Sequence, residues 1–430
     1  MYDKILRLCL LLSILPSASW GEAIVITGNM VRSFIGKPVD RLRIVNHNGV
    51  AIPFQIDEVT TADDYVCPSG SEPNAGNGIL DASDEIVFLW EDADTVEINS
   101  AGPGMNDAAG NKIPGACITV EHESQSRYVG LVDDPTIWPS PVSYIKYDEK
   151  NETVATPHYY AVFSHDRFSF IKAGVKDFSG KSYIGLTNEL RISIYFRALW
   201  GLLPISYSEE NMICLVKRYK AGPIRLIRRG DFHLNLGLWI NSSHAAVNQL
   251  CYPDMVRVPV YVHLPVRFRS LFGQAYIEMT PVIKKDVKNF SFRVPKYDLL
   301  FPLDRDKAID SLVCVNPNHG FMTVDNGATG YGWLLDANMQ EAYLDGSGYA
   351  FHKPSSRGGL CDCGFRLAVR DLPKGNYLIS NWVLFSGNGS ASVALETAAN
   401  SIWNRAEIKI GNSGEVLYNQ LTKNRKFKKN

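Results

Sequence analysis

The chain has 430 residues, 45% hydrophobic and 21% charged, with a formal net charge of −1. That balance makes globular domains rather than a disordered chain. The near-neutral charge and the lack of a recognisable motif argue against nucleic-acid binding. No GxSxG, HExxH, P-loop, CxxCH or complete GxGxxG pattern occurs either.

At the start, Lys4 and Arg7 precede the apolar run Leu8–Leu15 and the small residues "SAS". This is the layout of a secretory leader, covering residues 1–21 and cleaved near Ser19 or Gly21. The expected location is secreted or periplasmic, with no transmembrane segment in the mature chain. The only other strongly apolar run, "ALWGLLPISY" (198–207), is interrupted by Gly201 and Pro204 and reads as a buried or interfacial loop.

Period-two patterns and turn dipeptides then dominate, so the expected class is all-β, a multi-module β-sandwich with few short helices. An acidic module is expected over 22–150. From Glu22 to Glu123 it carries 17 acidic and 5 basic residues, a net of −12. "DRLRIV" and "VAIPFQI" flank Asn48-Gly49 and predict a hairpin. Pro53 cannot donate to a ladder, so its strand is placed at an edge. "EIVFLW" is a strand with Ile86, Phe88 and Trp90 on one face and Val87 and Leu89 on the other.

The preceding "NAGNGILDASD" resembles half of a calcium loop. With Gly78 at the sharp turn, Asn77, Asp81 and Asp84 are the candidate metal ligands. The positions that should carry the first two ligands hold Pro73 and Ala75. A plain turn, with Asn77-Gly78 bending the chain and Asp81 capping, is therefore preferred over calcium. No other cofactor is implied.

A basic central sandwich is expected over 155–303, a C-terminal β module over 304–420 and a basic tail over 421–430. "VRVPVYVHLPVRF" (256–268) reads as two short strands broken by prolines. "GNYLISNWVLF" and "ASVALETA" flank Asn388-Gly389 as a further hairpin, and "LETAANSIWNRA" is a short helical candidate. The tail "LTKNRKFKKN" holds Lys423, Arg425, Lys426, Lys428 and Lys429 and reads as a solvated terminus.

The stretch "IPFQIDE…NGILDASDEIVFL" resembles the pattern PFQID…NGxLDxxDExVF of secreted bacterial proteins related to rhamnogalacturonan lyases and mutarotase-like sandwiches. The later "YKAGPIRLIRRGDF" is similar to their GPVR strand. The resemblance implies a β-sandwich outside the cytoplasm. No catalytic set aligns with it.

The candidate ligand site rests on arginine. Arg225 and Arg229 fall on one strand face, and Arg267 and Arg269 extend the patch. Guanidinium groups pair with uronate or sulfate through two parallel hydrogen bonds. His233 and His263 lie near them in sequence and join the candidate set. The competing reading is that these arginines pair with the acidic module. Trp200, Trp239, Trp333 and Trp382 are either sugar platforms or core.

Seven cysteines remain after the leader, and an oxidising compartment should pair them. The spacing suggests Cys67–Cys117, Cys214–Cys251, and Cys314 with Cys361 or Cys363. The resulting functional readings are a binder of an anionic polysaccharide, a structural component of the bacterial envelope docking on an envelope protein, or a polysaccharide lyase or hydrolase. Binding is placed ahead of catalysis.

Overall fold

The computed structural model describes residues 22–98, 115–167, 169–176, 182–198, 201–208, 211–234, 245–264, 267–270, 272–284, 287, 289–303, 311–314, 320–337, 346–352, 359–387, 391–410 and 416–420. The expected leader and basic tail lie outside them, as do Trp200 and Trp239.

The protein is all-β, and its described residues form four sheets. A ten-stranded sheet runs from Ser311–Cys314 through Gly359–Ala368, Phe272–Lys284 and Tyr183–Ala198 to Lys146–Asp148. A nine-stranded sheet runs from Met212–Ala221 through Leu226–Leu234, Ala245–Cys251, Met255–Leu264 and Gly375–Ser386 to Leu299–Pro302. The two long sheets share one core. Trp333 meets Phe365 edge-on at 5.7 Å, and Tyr159 stacks on Phe385 at 4.3 Å. Both sheets draw strands from either side of residue 303, so the expected central and C-terminal modules are a single sandwich.

Pro259 does not break its strand, which runs unbroken over Met255–Leu264. The neighbouring strand Ala245–Cys251 pairs only with Val256 and Arg257. Beyond that point no ladder bond on that side asks for an N–H, so proline is tolerated.

The N-terminal unit holds a three-stranded sheet (Ala23–Thr27, Glu85–Leu89, Phe54–Asp57) and a five-stranded one. The period-two pattern of "EIVFLW" appears as read. Ile86, Phe88 and Trp90 enter the unit's own core, while Val87 and Leu89 face the seam with the sandwich. The Asn48-Gly49 turn closes with Asn46 N donating to Val50 O at 3.0 Å. The chain then leaves its hairpin partner, and Phe54–Asp57 pairs with Glu85–Leu89 at a sheet edge.

Two features depart from the local pattern. The strands Glu407–Ile410 and Val416–Tyr418 return to finish the five-stranded sheet, with Glu407–Ile410 beside Gly115–His122. The N-terminal unit therefore includes the late strands Glu407–Ile410 and Val416–Tyr418. The segment expected as the second arm of the Asn388-Gly389 hairpin is the helix Ala391–Trp403, and residues 388–390 lie outside the described set. Ala391, Ala394, Leu395, Ala398, Ala399 and Ile402 are buried at helical spacing. The Ser392 hydroxyl donates to Asp325 Oδ1 at 2.7 Å and Ala391 N to Gly327 O at 2.9 Å, tying down the first turn.

Candidate functional site

The strand Leu226–Leu234 and the turn before it carry the arginines singled out in the sequence, and they face the acidic unit. Arg225 is 1% exposed. Its Nε donates to Asp57 Oδ2 at 2.8 Å, Nη2 to Glu85 Oε2 at 2.5 Å and Nη1 to the Tyr252 hydroxyl at 2.9 Å. Tyr65 and Tyr252 offer ring faces at 5.3 and 5.7 Å. Lys220 Nζ lies 2.9 Å from the other Asp57 oxygen. Burial alone would raise the Asp57 pKa, but the Lys220 and Arg225 charges and the Gln55 amide outweigh it and hold the carboxyl below its ordinary value.

The neighbouring arginines are committed in the same way. Arg229 and Arg218 both pair with Asp64, and Arg228 pairs with Glu152 and lies over the Phe163 ring at 4.2 Å. The acidic unit also caps the sheet's open edge. Ser69 and Tyr219 exchange backbone bonds, and Lys217 Nζ meets Glu72 at 2.7 Å. Gly70, at φ +110°, makes this approach possible, since a Cβ there would fall 2.6 Å from Lys217 O. Arg225 and Arg229 thus join the two units, and neither guanidinium is open to a polymer. His233 sits near the end of the same strand at 8% exposure.

The half calcium loop is built as a turn. Asn77 Nδ2 donates to Asp81 Oδ2 at 2.8 Å, and Ile79 N donates back to Asn77 Oδ1 at 2.9 Å. Asp84 accepts Val59 N and Asp81 N, both at 2.7 Å. Burial pushes the Asp84 carboxyl up to about 6 in spite of those donors. Among the described residues no three His, Cys, Asp or Glu groups converge as metal ligands.

The expected disulfides are not formed among the described cysteines, all six of which are buried and free. Cys67 and Cys117 belong to different core clusters. Cys214 pairs across from Phe232, and Cys251 across from Leu226 on the opposite side of the same strand. Six residues along a strand place them about 20 Å apart, far beyond disulfide reach. Cys361 and Cys363 are two apart on one strand, with both thiols in the sandwich core. Cys314 lies on Ser311–Cys314, and its side chain is outside the described set. Burial pushes the Cys67, Cys214 and Cys251 thiols up to about 12, which leaves them little thiolate character.

Arg267 and Arg269 have a different setting. Both are exposed, on the connection between Met255–Leu264 and Phe272–Lys284. Two other connections reach the same end of the sandwich. Ala198 pairs with both Phe272 and Leu203, which brings in the turn between Tyr183–Ala198 and Leu203–Ser208. Val369 N donates to Ala275 O, and Gly375 pairs with Leu264, which brings in residues 369–374. Together these connections present Arg197, Arg267, Arg269, Arg370 and Lys374, with Asp371 as their one carboxylate. Asp371 lies 3.7 Å from Arg269 and 3.9 Å from Arg370, beyond ordinary hydrogen-bond distance.

Leu202 and Leu203 project from the same end, 82% and 50% exposed. Of the run read as a buried or interfacial loop, Leu203–Ser208 is a strand paired with Tyr183–Ala198, and Leu202 and Leu203 are exposed rather than buried. His263 pairs with Asn376 one residue from this end, and its side chain is outside the described set. Arg197, Arg370 and Lys374 went unread because they come from separate strand ends. No local signal in the sequence joins them to Arg267 and Arg269. Trp333 and Trp382 are core, at 2% and 1% exposure.

No helix among the described residues is long and apolar enough to cross a membrane. No family model matches the chain, and no curated protein does. Among solved structures, the chain is similar to an alpha-mannosidase from Enterococcus faecalis V583, at 8% identity and a TM-score of 0.49, over 92% of this chain and 44% of that one. It is also similar to a protein in glycosyl hydrolase family 38 from Enterococcus faecalis, at 7% identity and a TM-score of 0.48, over 92% and 45%. The chain spans under half the length of either protein.

Proposed function

We propose that the protein is a β-sandwich binding protein for an anionic polysaccharide, which it engages through the basic end of the sandwich. One observation carries the reading. One end of the sandwich carries five cationic side chains and a single carboxylate on its connections and adjoining strand ends. A uronate- or sulfate-bearing polymer offers the acceptors that guanidinium groups match in pairs. The buried arginines of the seam contribute the scaffold rather than the contact.

Depletion of the full chain onto uronate-rich, sulfated and neutral polysaccharides tests this. Binding to the charged polymers, weakened by salt and by Arg267→Ala/Arg269→Ala, is expected. Equal binding to the neutral polymer, or none to any, overturns it. Release of reducing or unsaturated ends would make the protein an enzyme. Leu202 and Leu203 favour a second reading, in which the same end docks on an envelope protein. Loss of partner capture in Leu202→Asp, with polymer binding intact, would support that reading.

A further inference from the structure

A cleft of about 850 Å³ lies where the N-terminal unit meets the end of the helix Ala391–Trp403. One wall is the turn between Gly115–His122 and Gln125–Asp133. Glu123 and Ser124 there adopt φ of +46° and +63°, and Glu123 is exposed. The other wall is Trp403, Asn404, Arg405 and Glu407, with Tyr418 completing the lining.

Three carboxylates line the cleft against one guanidinium and one imidazole. Lys409 pairs with Glu121 at 2.6 Å, and Glu22 holds His122 at 3.1 Å. Neither Glu123 nor Glu407 has an ion-pair partner among the described residues. The cleft therefore combines two aromatic rings with two carboxylates that make no ion pair among the described residues, which suits a basic peptide carrying an aromatic residue.

This chain contains such a peptide. Residues 421–430, "LTKNRKFKKN", hold five cations, no acid and Phe427. They follow Tyr418, itself a lining residue, after two intervening positions. Ten residues reach about 33 Å when extended, several times the roughly 10 Å breadth of a cleft of this volume. We propose that the basic tail docks in this cleft in cis. Phe427 lies against Trp403 and Tyr418, and the flanking lysines and Arg425 face Glu123 and Glu407.

Limited trypsin digestion of the full chain, followed by mass spectrometry of the released tail peptides, tests the docking without any polysaccharide present. At about 0.02 M salt the tail should be cut about fivefold more slowly in the parent chain than in Glu123→Lys/Glu407→Lys, and at about 0.5 M salt the difference should vanish. Phe427→Ala should give an intermediate rate. It leaves the cleft untouched, so it remains informative if the charge reversals disturb folding. Equal tail cleavage in all variants at low salt overturns the proposal. Protection that rises with protein concentration also overturns it, because the tail would then be held by a second copy.

Discussion

Arginines occupy two opposite settings in this protein. At the seam, Arg225 is nearly sealed from water between two carboxylates and two tyrosine rings. At the basic end, Arg269 has a side chain 65% exposed and only a loose contact with Asp371. Sequence places both on β-rich stretches with similar neighbours. Their difference is long-range. Asp57 lies 168 residues from Arg225, and the acidic unit that supplies it covers one basic surface and leaves the other open. Charge asymmetry along a chain can thus mark an internal joint as readily as an external ligand.

The largest expected effect comes from breaking the seam. Arg225→Ala leaves Asp57 and Glu85 buried without their main counter-charge, which costs about 3–5 kcal/mol. A urea titration reads this as a lower midpoint. A loss below about 1 kcal/mol would mean that water enters the seam and that the contrast with the exposed end is one of degree.

The next effect depends on pH. Beside the seam, Glu91 is half-buried near Asp254, Asp92 and Glu22, with both carboxylate oxygens shielded from water. Burial first, then those acids, push it up to about 8. The folded protein therefore holds this proton where the unfolded chain, near 4.5, has lost it. Stability from this group is fully present below pH 4.5 and is lost as pH rises to about 8, at up to about 1.4 kcal/mol per pH unit. Glu91→Gln should flatten that slope in unfolding curves taken across the range. An unchanged slope would remove Glu91 as its source.

At the exposed end, substitutions should scarcely touch folding. Arg269→Ala/Arg370→Ala should shift unfolding by about 0.5 kcal/mol or less while weakening uronate-polymer binding about tenfold. Smallest of all, Leu202→Asp should leave stability within about 0.5 kcal/mol, since its side chain already sits in water. A large loss in either experiment would show that this end is covered in solution, and the comparison would collapse.

The parts of the fold legible in sequence were those set by neighbours a few residues away. The two faces of Glu85–Leu89 follow from period two, and the Asn77–Asp81 turn from side-chain reach. The helix Ala391–Trp403 was half legible. Its apolar positions repeat at three and four, but Asn388-Gly389 is a strong local hairpin signal, and burial against Phe321, Trp382 and Leu384 decides for helix. The return of Glu407–Ile410 to a sheet begun near residue 42 has no local signature at all. For the candidate site, Arg267 and Arg269 were read as an extension of the Arg225 patch, and both their separation from it and their companions depend on which strand ends meet. Cysteine pairing was misread because spacing in sequence carries no information about which face of which strand each thiol occupies.

The late return of the chain has a consequence for biogenesis. The strand Gln125–Asp133 ends 274 residues before Glu407, and ribosomes add residues at about 5–20 per second, so the first-made unit waits roughly half a minute for its last neighbours. Throughout that interval the edge of Gly115–His122 that Glu407–Ile410 will cover stays bare, a template for unwanted pairing. Asn419 adds a final stitch, accepting Val25 N and donating to Ala23 O. Closure of this unit therefore waits on strands made some 274 residues later, and a chaperone that holds the emerging chain open would protect this protein more than one whose domains close in order.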